Sequence, residues 1–305
     1  MLNQPETKTA FISLAGRPNV GKSSLLNALL GVKVSMVSAK PQTTRTRITG
    51  VLTEDGAQLV FTDTPGVHSP RTVLGEHMVR AAKEGIKDAD VCVLVTDAAF
   101  LPGEIEKGMI EGFKKGAGQY ILALNKIDLI GDKAELLTKI GAYTELFLFN
   151  SVFLISCKTG DGVSGLKTEL LSLALPSSHF FAADTLTDQP ERVLAAEIIR
   201  EKQLQNLDKE IPHGIAVTVE TFKERTAKDG QILEIDAIIF CEKESHKGII
   251  IGKNGAALKR TATAARLDLE RFFSCKVNLR CWVKVKEDWR NRQGIIHNFG
   301  LDLHS

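Results

Sequence analysis

Gly16-Arg17-Pro18-Asn19-Val20-Gly21-Lys22-Ser23 fits the pattern GxxxxGK[ST], a spacing suited to holding a polyphosphate. Its glycines let the backbone curl until its N–H groups face a β-phosphate, and a helix beginning there adds partial positive charge. In that frame Lys22 bridges the β- and γ-phosphate oxygens, and the Ser23 hydroxyl ligates Mg²⁺. Three more clusters complete a nucleotide site. In Asp63-Thr64-Pro65-Gly66, Asp63 can hold Mg²⁺ through water and the Gly66 N–H can meet a γ-phosphate. In Asn125-Lys126-Ile127-Asp128, the Asp128 carboxylate can accept the N1–H and exocyclic amine of guanine. Adenine offers an acceptor at N1 and no amine at C2, so it would leave that carboxylate unpaired. Ser156-Cys157-Lys158 would supply backbone N–H groups to the guanine oxygen.

These clusters need strand ends to hold them, and the pattern supplies the strands. Phe11–Ala15, Gln58–Asp63, Asp90–Asp97, Tyr120–Asn125 and Val152–Ser156 are apolar runs, four of them closing on a polar residue. Amphipathic stretches separate the last three, and Ser23–Leu30 has helical spacing. Near-continuous apolar strands interleaved with helices predict an α/β domain with a mostly parallel sheet covered on both faces. Such sheets bind ligands beyond the carboxyl ends of their strands, where the four clusters fall.

The whole chain has 305 residues, 43% hydrophobic and 25% charged, enough for two globular domains and unlike a disordered chain. No apolar run approaches the length needed to span a bilayer, and the first residues lack the basic start and apolar core of a secretion signal. Five cysteines without CxxC spacing exclude a disulfide framework or zinc ribbon and fit a reducing cytoplasm. His77, His179, His213, His246, His297 and His304 show no metal-ligand pairing.

The second half reads differently. Residues 176–190 break periodicity and read as a linker. After a helix near 191–207, alternating residues predict strands around 215–219, 233–239 and 277–285, with Gly252-Lys253-Asn254-Gly255 opening a helix whose stripe is Leu258, Ala262, Ala265, Leu269 and Phe272. Residues 243–292 carry 13 basic against 5 acidic side chains, an excess suited to a phosphate-rich partner. Trp282 lies among Arg280, Lys284 and Lys286; packing against a neighbouring segment or domain is expected of it, with stacking on a base as the alternative.

With these residues in place, the chain resembles the Era family of bacterial GTPases, from Phe11 to about Trp289. The resemblance implies a P-loop NTPase of Ras-like type over residues 1–176, a linker over 177–190, and a smaller α+β type II KH domain over 191–305. Lys40-Pro41-Gln42-Thr43-Thr44-Arg45 looks like the family's first switch loop. Thr44 is then the threonine reaching Mg²⁺ and the γ-phosphate, with Thr43 as fallback. Lys22, Thr44, Gly66 and Asn19 are the implied catalytic set. Asn19 is shared with potassium-stimulated GTPases, which implies K⁺ beside Mg²⁺ as a cofactor. Val67 replaces the water-orienting glutamine of signalling GTPases, and His68 is expected to face solvent rather than act as a base. The KH resemblance implies RNA contact through Gly252–Gly255, with Lys247, Lys259 and Arg260 nearby. Partners implied are GTP and GDP, small-subunit ribosomal RNA near its 3′ end, the assembling small ribosomal subunit, and the inner membrane peripherally; a monomer is expected. The rival readings are a constitutive RNA-binding protein with a structural nucleotide, and a tRNA-modification or tandem-domain GTPase.

Overall fold

In the computed structural model, residues 7–37, 40, 44–67, 70, 72–87, 89–207, 211–227 and 230–301 are described. Thr43 and His68 lie outside them. The main chain divides into two compact units between Asp188 and Gln189.

The first unit is a doubly wound sheet of order β2-β3-β1-β4-β5-β6. Its strands are β1 (Lys8–Ala15), β2 (Ile48–Glu54), β3 (Ala57–Asp63), β4 (Val91–Asp97), β5 (Gln119–Asn125) and β6 (Ser151–Leu154). The helices are α1 (Lys22–Leu30), α2 (Val73–Lys87), α3 (Glu104–Phe113), α4 (Lys133–Thr144) and α5 (Val163–Ser172). Alternation sets the two faces. Val91, Val93 and Val95 of β4 pack with Leu25, Leu26 and Leu29 of α1 and Leu166 and Leu170 of α5. Cys92 and Leu94 face the other way, into a cluster with Met109, Ile110 and Phe113 of α3 and Tyr143 of α4. Every strand pair along this order is parallel except β2–β3.

Strand β2 is absent from the sequence reading because ITGVLTE alternates poorly. The signal that identifies it is the two-residue turn Asp55-Gly56, with φ 50° and 75°, between paired Glu54 and Ala57. Two successive positive φ values are what an Asp-Gly hairpin turn requires. The stretch read as a linker is laid against the first unit instead of standing free. β7 (Leu175–Pro176) pairs antiparallel with β1. Gln58 Oε1 accepts the N–H groups of Phe180 and Phe181 at 2.8 and 3.0 Å, and the Thr187 hydroxyl donates to the Thr49 carbonyl at 2.6 Å.

The second unit has a three-stranded sheet of order β10-β9-β8. Its elements are α6 (Glu191–Gln205), β8 (Ala216–Ala227), β9 (Gly230–Cys241), α7 (Glu244–Ile251), α8 (Ala256–Phe273), β10 (Lys276–Val285) and α9 (Gln293–Asn298). β8 and β9 are antiparallel, β9 and β10 parallel. Ala265 and Leu269 of α8 and Ile199 of α6 are fully buried, as are Ile235, Ala237 and Ile239 of β9. Strands β8 and β9 run to 12 residues each, longer than the apolar alternation alone suggested.

Candidate functional site

The phosphate loop joins β1 to α1, at the carboxyl edge of the sheet. Gly21 has φ 102°, and a Cβ there would lie 2.1 Å from Asn125 Nδ2, so both conformation and packing demand glycine. Asn125, closing β5, is the brace of the site. Its amide donates to the Val20 carbonyl at 2.8 Å, and its oxygen accepts the Cys157 N–H at 3.1 Å. One side chain thereby ties the phosphate loop to the loop after β6.

Lys22 is buried, and its ammonium donates to the carbonyls of Gly16 and Arg17 at 3.1 and 2.9 Å. Burial lowers its pKa from 10.5 to about 8, while the nearby Asp63 charge pulls the other way. The Ser23 hydroxyl donates to Asp63 Oδ2 at 2.5 Å and lies 3.0 Å from the Thr44 hydroxyl. Asp63 Oδ1 is buried with no hydrogen-bond partner. Burial raises the Asp63 pKa, with Lys22 and the neighbouring hydroxyls acting against that. Two hydroxyls and a carboxylate with an open buried oxygen form an all-oxygen donor set suited to a hard divalent cation. Among the described residues, Thr44 is the threonine found beside Ser23. Among the described residues no group of three or more His, Cys, Asp or Glu is placed to hold a metal.

At the other end, the Ser156 hydroxyl donates to Asp128 Oδ1 at 2.7 Å. Lys158, largely exposed, has its ammonium 4.0 Å from Asp128 Oδ2, a separation that contributes little in water. Lys126 has φ 67° and donates to Asp97 Oδ2 at 2.7 Å. Asp97, whose place at the end of β4 was the available signal, joins the site as a residue not singled out from sequence. Cys157 is pushed up to about 12 by burial and remains a neutral thiol. Beyond β3, the Thr64 hydroxyl donates to the Leu14 carbonyl at 2.9 Å, and the Val67 N–H to the Gly16 carbonyl at 3.2 Å, so Pro65 and Gly66 lie between two anchored residues. The Val67 side chain packs on the apolar cluster containing Ala15 and Leu94 and presents no polar group to a water. Arg17 reaches away from the loop to pair with the buried Glu106 of α3. Asn19, with φ 65°, is one of the few non-glycine residues in the left-handed region.

In the second unit the loop from Gly252 to Gly255 links α7 to α8. Gly252 has φ 72°, and a Cβ there would meet Ala257 Cβ at 2.7 Å. Asn254 and Gly255 are also left-handed, at 51° and 77°. Three such residues in four turn the Lys253 and Asn254 side chains outward, where both are exposed. Ile250 is fully buried and anchors α7, while Ile249 beside it is 53% exposed. Lys259 and Arg260 are exposed on the first turns of α8, and Lys247 lies 3.6 Å from Glu244. Trp282 is 47% exposed, with the Arg280 guanidinium 5.9 Å from its ring centroid. Arg280 is itself held by both oxygens of Asp236, at 2.6 and 3.0 Å.

A phosphate loop, a metal-type oxygen cluster and a guanine-type carboxylate in one unit, with a GxxG module in the other, define a P-loop GTPase carrying a KH domain. Comparisons with known proteins agree. The family model described as "50S ribosome-binding GTPase" matches residues 11–126, and that described as "KH domain" matches residues 210–290. The chain is 47% identical to GTPase Era of Ruminiclostridium cellulolyticum, over 96% of this chain and 97% of that one. It is 45% identical to GTPase Era of Clostridioides difficile, over 97% and 99% respectively. Among solved structures, Era in complex with MgGDPNP and nucleotides 1506–1542 of 16S ribosomal RNA matches with TM-score 0.92 and 37% identity, covering 97% of this chain and all of that one. An Aquifex aeolicus Era variant bound to GDP and AlF4⁻ matches with the same TM-score at 36% identity. The chain belongs to the GTPase Era family. Among the described residues no helix is long and apolar enough to cross a membrane.

Proposed function

We propose that this GTPase hydrolyses GTP at the site between the phosphate loop and Asp128, and uses its nucleotide state to control binding of small-subunit ribosomal RNA by the KH loop. The observation that carries this is the full-length likeness to Era in complex with a magnesium-bound GTP analogue and the 3′ region of 16S RNA. The large-subunit wording of the first family model concerns residues 11–126 alone. Assembly of the small ribosomal subunit, a cytoplasmic place and peripheral contact with the inner membrane extend the same reading.

Within it, Gly16–Ser23 cradle the phosphates, and Lys22 exchanges its two loop carbonyls for β- and γ-phosphate oxygens. Ser23, Thr44 and Asp63 hold Mg²⁺, which when bound neutralises charge on the β- and γ-oxygens. The Gly66 N–H binds the γ-phosphate. Water attacks the γ-phosphorus, the bond to the β–γ bridging oxygen breaks, and GDP, phosphate and a proton leave. Val67 cannot orient that water. Asn19 would supply a ligand for K⁺, which when bound would add positive charge of the kind an arginine finger provides elsewhere. Turnover should therefore fall when K⁺ is replaced by Na⁺ at fixed ionic strength; an equal rate removes K⁺ from the reading.

The functional test is RNA affinity measured with GDP and with a non-hydrolysable GTP analogue, on RNA carrying the small-subunit 3′ sequence. Tighter RNA binding with the GTP analogue is expected, and RNA must then tighten that analogue by the same factor. RNA affinity indifferent to the nucleotide would reduce the protein to two independent modules.

A further inference from the structure

Asp63 receives a second hydroxyl that the phosphate loop does not explain. The Ser35 hydroxyl donates to Asp63 Oδ2 at 2.8 Å, onto the oxygen that Ser23 already holds. Ser35 lies in the segment leading from α1 towards the first switch loop, and that segment is fixed. Val34, Ser35 and Met36 are all buried. Asn27 of α1 accepts the N–H groups of Val34 and Ser35 on its Oδ1, at 2.9 Å each, and donates its amide to the Ser35 carbonyl at 2.8 Å. Three bonds from one side chain set the Ser35 backbone, and so set where its hydroxyl can reach.

The consequence falls on the other carboxylate oxygen. With two O–H donors on Oδ2, rotation of the Asp63 carboxylate would break both bonds at once. Oδ1 stays buried with its lone pairs unfilled, the arrangement a carboxylate needs if it is to accept from a metal-bound water. The alternative for an under-held carboxylate is to swing towards Lys22, whose charge already acts on it.

We propose that Ser35 is a positioning residue for the divalent-cation site, holding Asp63 by its Oδ2 so that Oδ1 stays turned to the cation's water shell. This rests on the reading of Ser23, Thr44 and Asp63 as the Mg²⁺ site. Ser35 touches neither metal nor nucleotide in this role; it acts through Asp63. Removal of such supporting hydrogen bonds costs metal affinity on the order of tenfold or more.

The test is a Mg²⁺ titration of the dissociation rate of a fluorescent guanine nucleotide, for the wild-type chain, Ser35→Ala, Ser35→Thr and Asp63→Ala. Half-saturating Mg²⁺ should rise about tenfold in Ser35→Ala and return to within about threefold of wild type in Ser35→Thr, which keeps the hydroxyl. Nucleotide affinity in chelator should be the same for wild type and both Ser35 variants, and melting temperatures report that each is folded. An unmoved Mg²⁺ midpoint in Ser35→Ala overturns the proposal. So does an equal loss of affinity in chelator, which would make Ser35 a packing residue of the loop. Asp63→Ala separates this from the underlying reading. If it loses the Mg²⁺ response while Ser35→Ala does not, only the Ser35 role fails; if it keeps the full response, the metal site itself is misplaced.

Discussion

The two loops that would meet phosphate are built on opposite terms. Around Gly16–Ser23 the ligand-facing groups are already engaged: Lys22 with two carbonyls, Ser23 with Asp63, and Asn125 with both neighbouring loops. Around Gly252–Gly255 the side chains of Lys253 and Asn254 stand in solvent. Internal bracing makes the first loop a preorganised socket, in which hydrogen bonds are exchanged rather than created when ligand arrives. The second presents backbone shape and charge to a partner that supplies the rest. Substitutions in the socket should therefore cost more than substitutions at the exposed loop.

The largest expected effect is at Gly21. Alanine there must adopt φ 102° and would press on Asn125 Nδ2, breaking the brace between the two loops. Backbone strain and a lost buried hydrogen bond together cost about 3 kcal/mol, or more than a hundredfold in guanine-nucleotide affinity. Gly255→Ala meets nothing within 4 Å and should leave GTP affinity unchanged. Titration of a fluorescent nucleotide into both variants checks the contrast, and equal losses would dissolve it.

Next comes the base end. Asp128→Asn replaces an acceptor for two guanine donors and disturbs the bond from Ser156. GTP binding should weaken by at least about 2 kcal/mol, while xanthosine nucleotides, with an oxygen at C2, should bind the variant better than GTP. An unchanged preference for guanine in competition titrations would remove Asp128 from base recognition.

At the exposed loop, changing Lys253 and Asn254 both to Asp places negative charge where the RNA backbone would pass. RNA affinity should drop tenfold or more, about 1.4 kcal/mol, with GTP binding intact because its site lies in the other unit. The effect should shrink with added salt. A loss that ignores salt would mean that the loop had refolded rather than repelled phosphate.

How much of this was legible beforehand follows the same division. The nucleotide site could be read because each cluster closes or closely follows a strand: Asp63 ends β3, Asn125 ends β5, Gly16 follows β1 and Ser156 comes two residues after β6, so motif and element support one another. Strand β2 could not be read from apolar alternation, since its identity comes from the Asp55-Gly56 turn and its pairing with β3. Ser35 and Asn27 carried no signal at all, because a buried Ser and a helical Asn are chemically silent until folding brings the Ser35 hydroxyl to Asp63 and the Asn27 amide to the Ser35 backbone. The degree of exposure of Trp282 carried no signal for a related reason. Alternation tells which face of β10 it lies on, and nothing in the pattern says whether that face is covered.

The smallest effect tests the socket's exchange of bonds directly, through the proton on Lys22. Burial lowers this pKa to about 8 against the pull of Asp63, so near pH 8 about half the free protein carries a neutral amine. Bound phosphates favour the charged form and raise the pKa. Nucleotide binding should then take up about half a proton at pH 8, almost none at pH 6.5, and affinity should fall as pH rises through about 8. The sign is opposite for stability of the free protein. Its Lys22 pKa lies below the unfolded value, so the unfolded chain holds more protons between about pH 8 and 10.5, and this group's contribution to stability rises with pH there. Calorimetry of GDP binding in two buffers of different ionisation enthalpy measures the uptake. Magnesium should be chelated, so that metal binding at Asp63 does not enter the proton balance. Zero uptake at pH 8 would mean that Lys22 is fully charged before the nucleotide arrives, and that its two carbonyl partners hold it as an ammonium without cost.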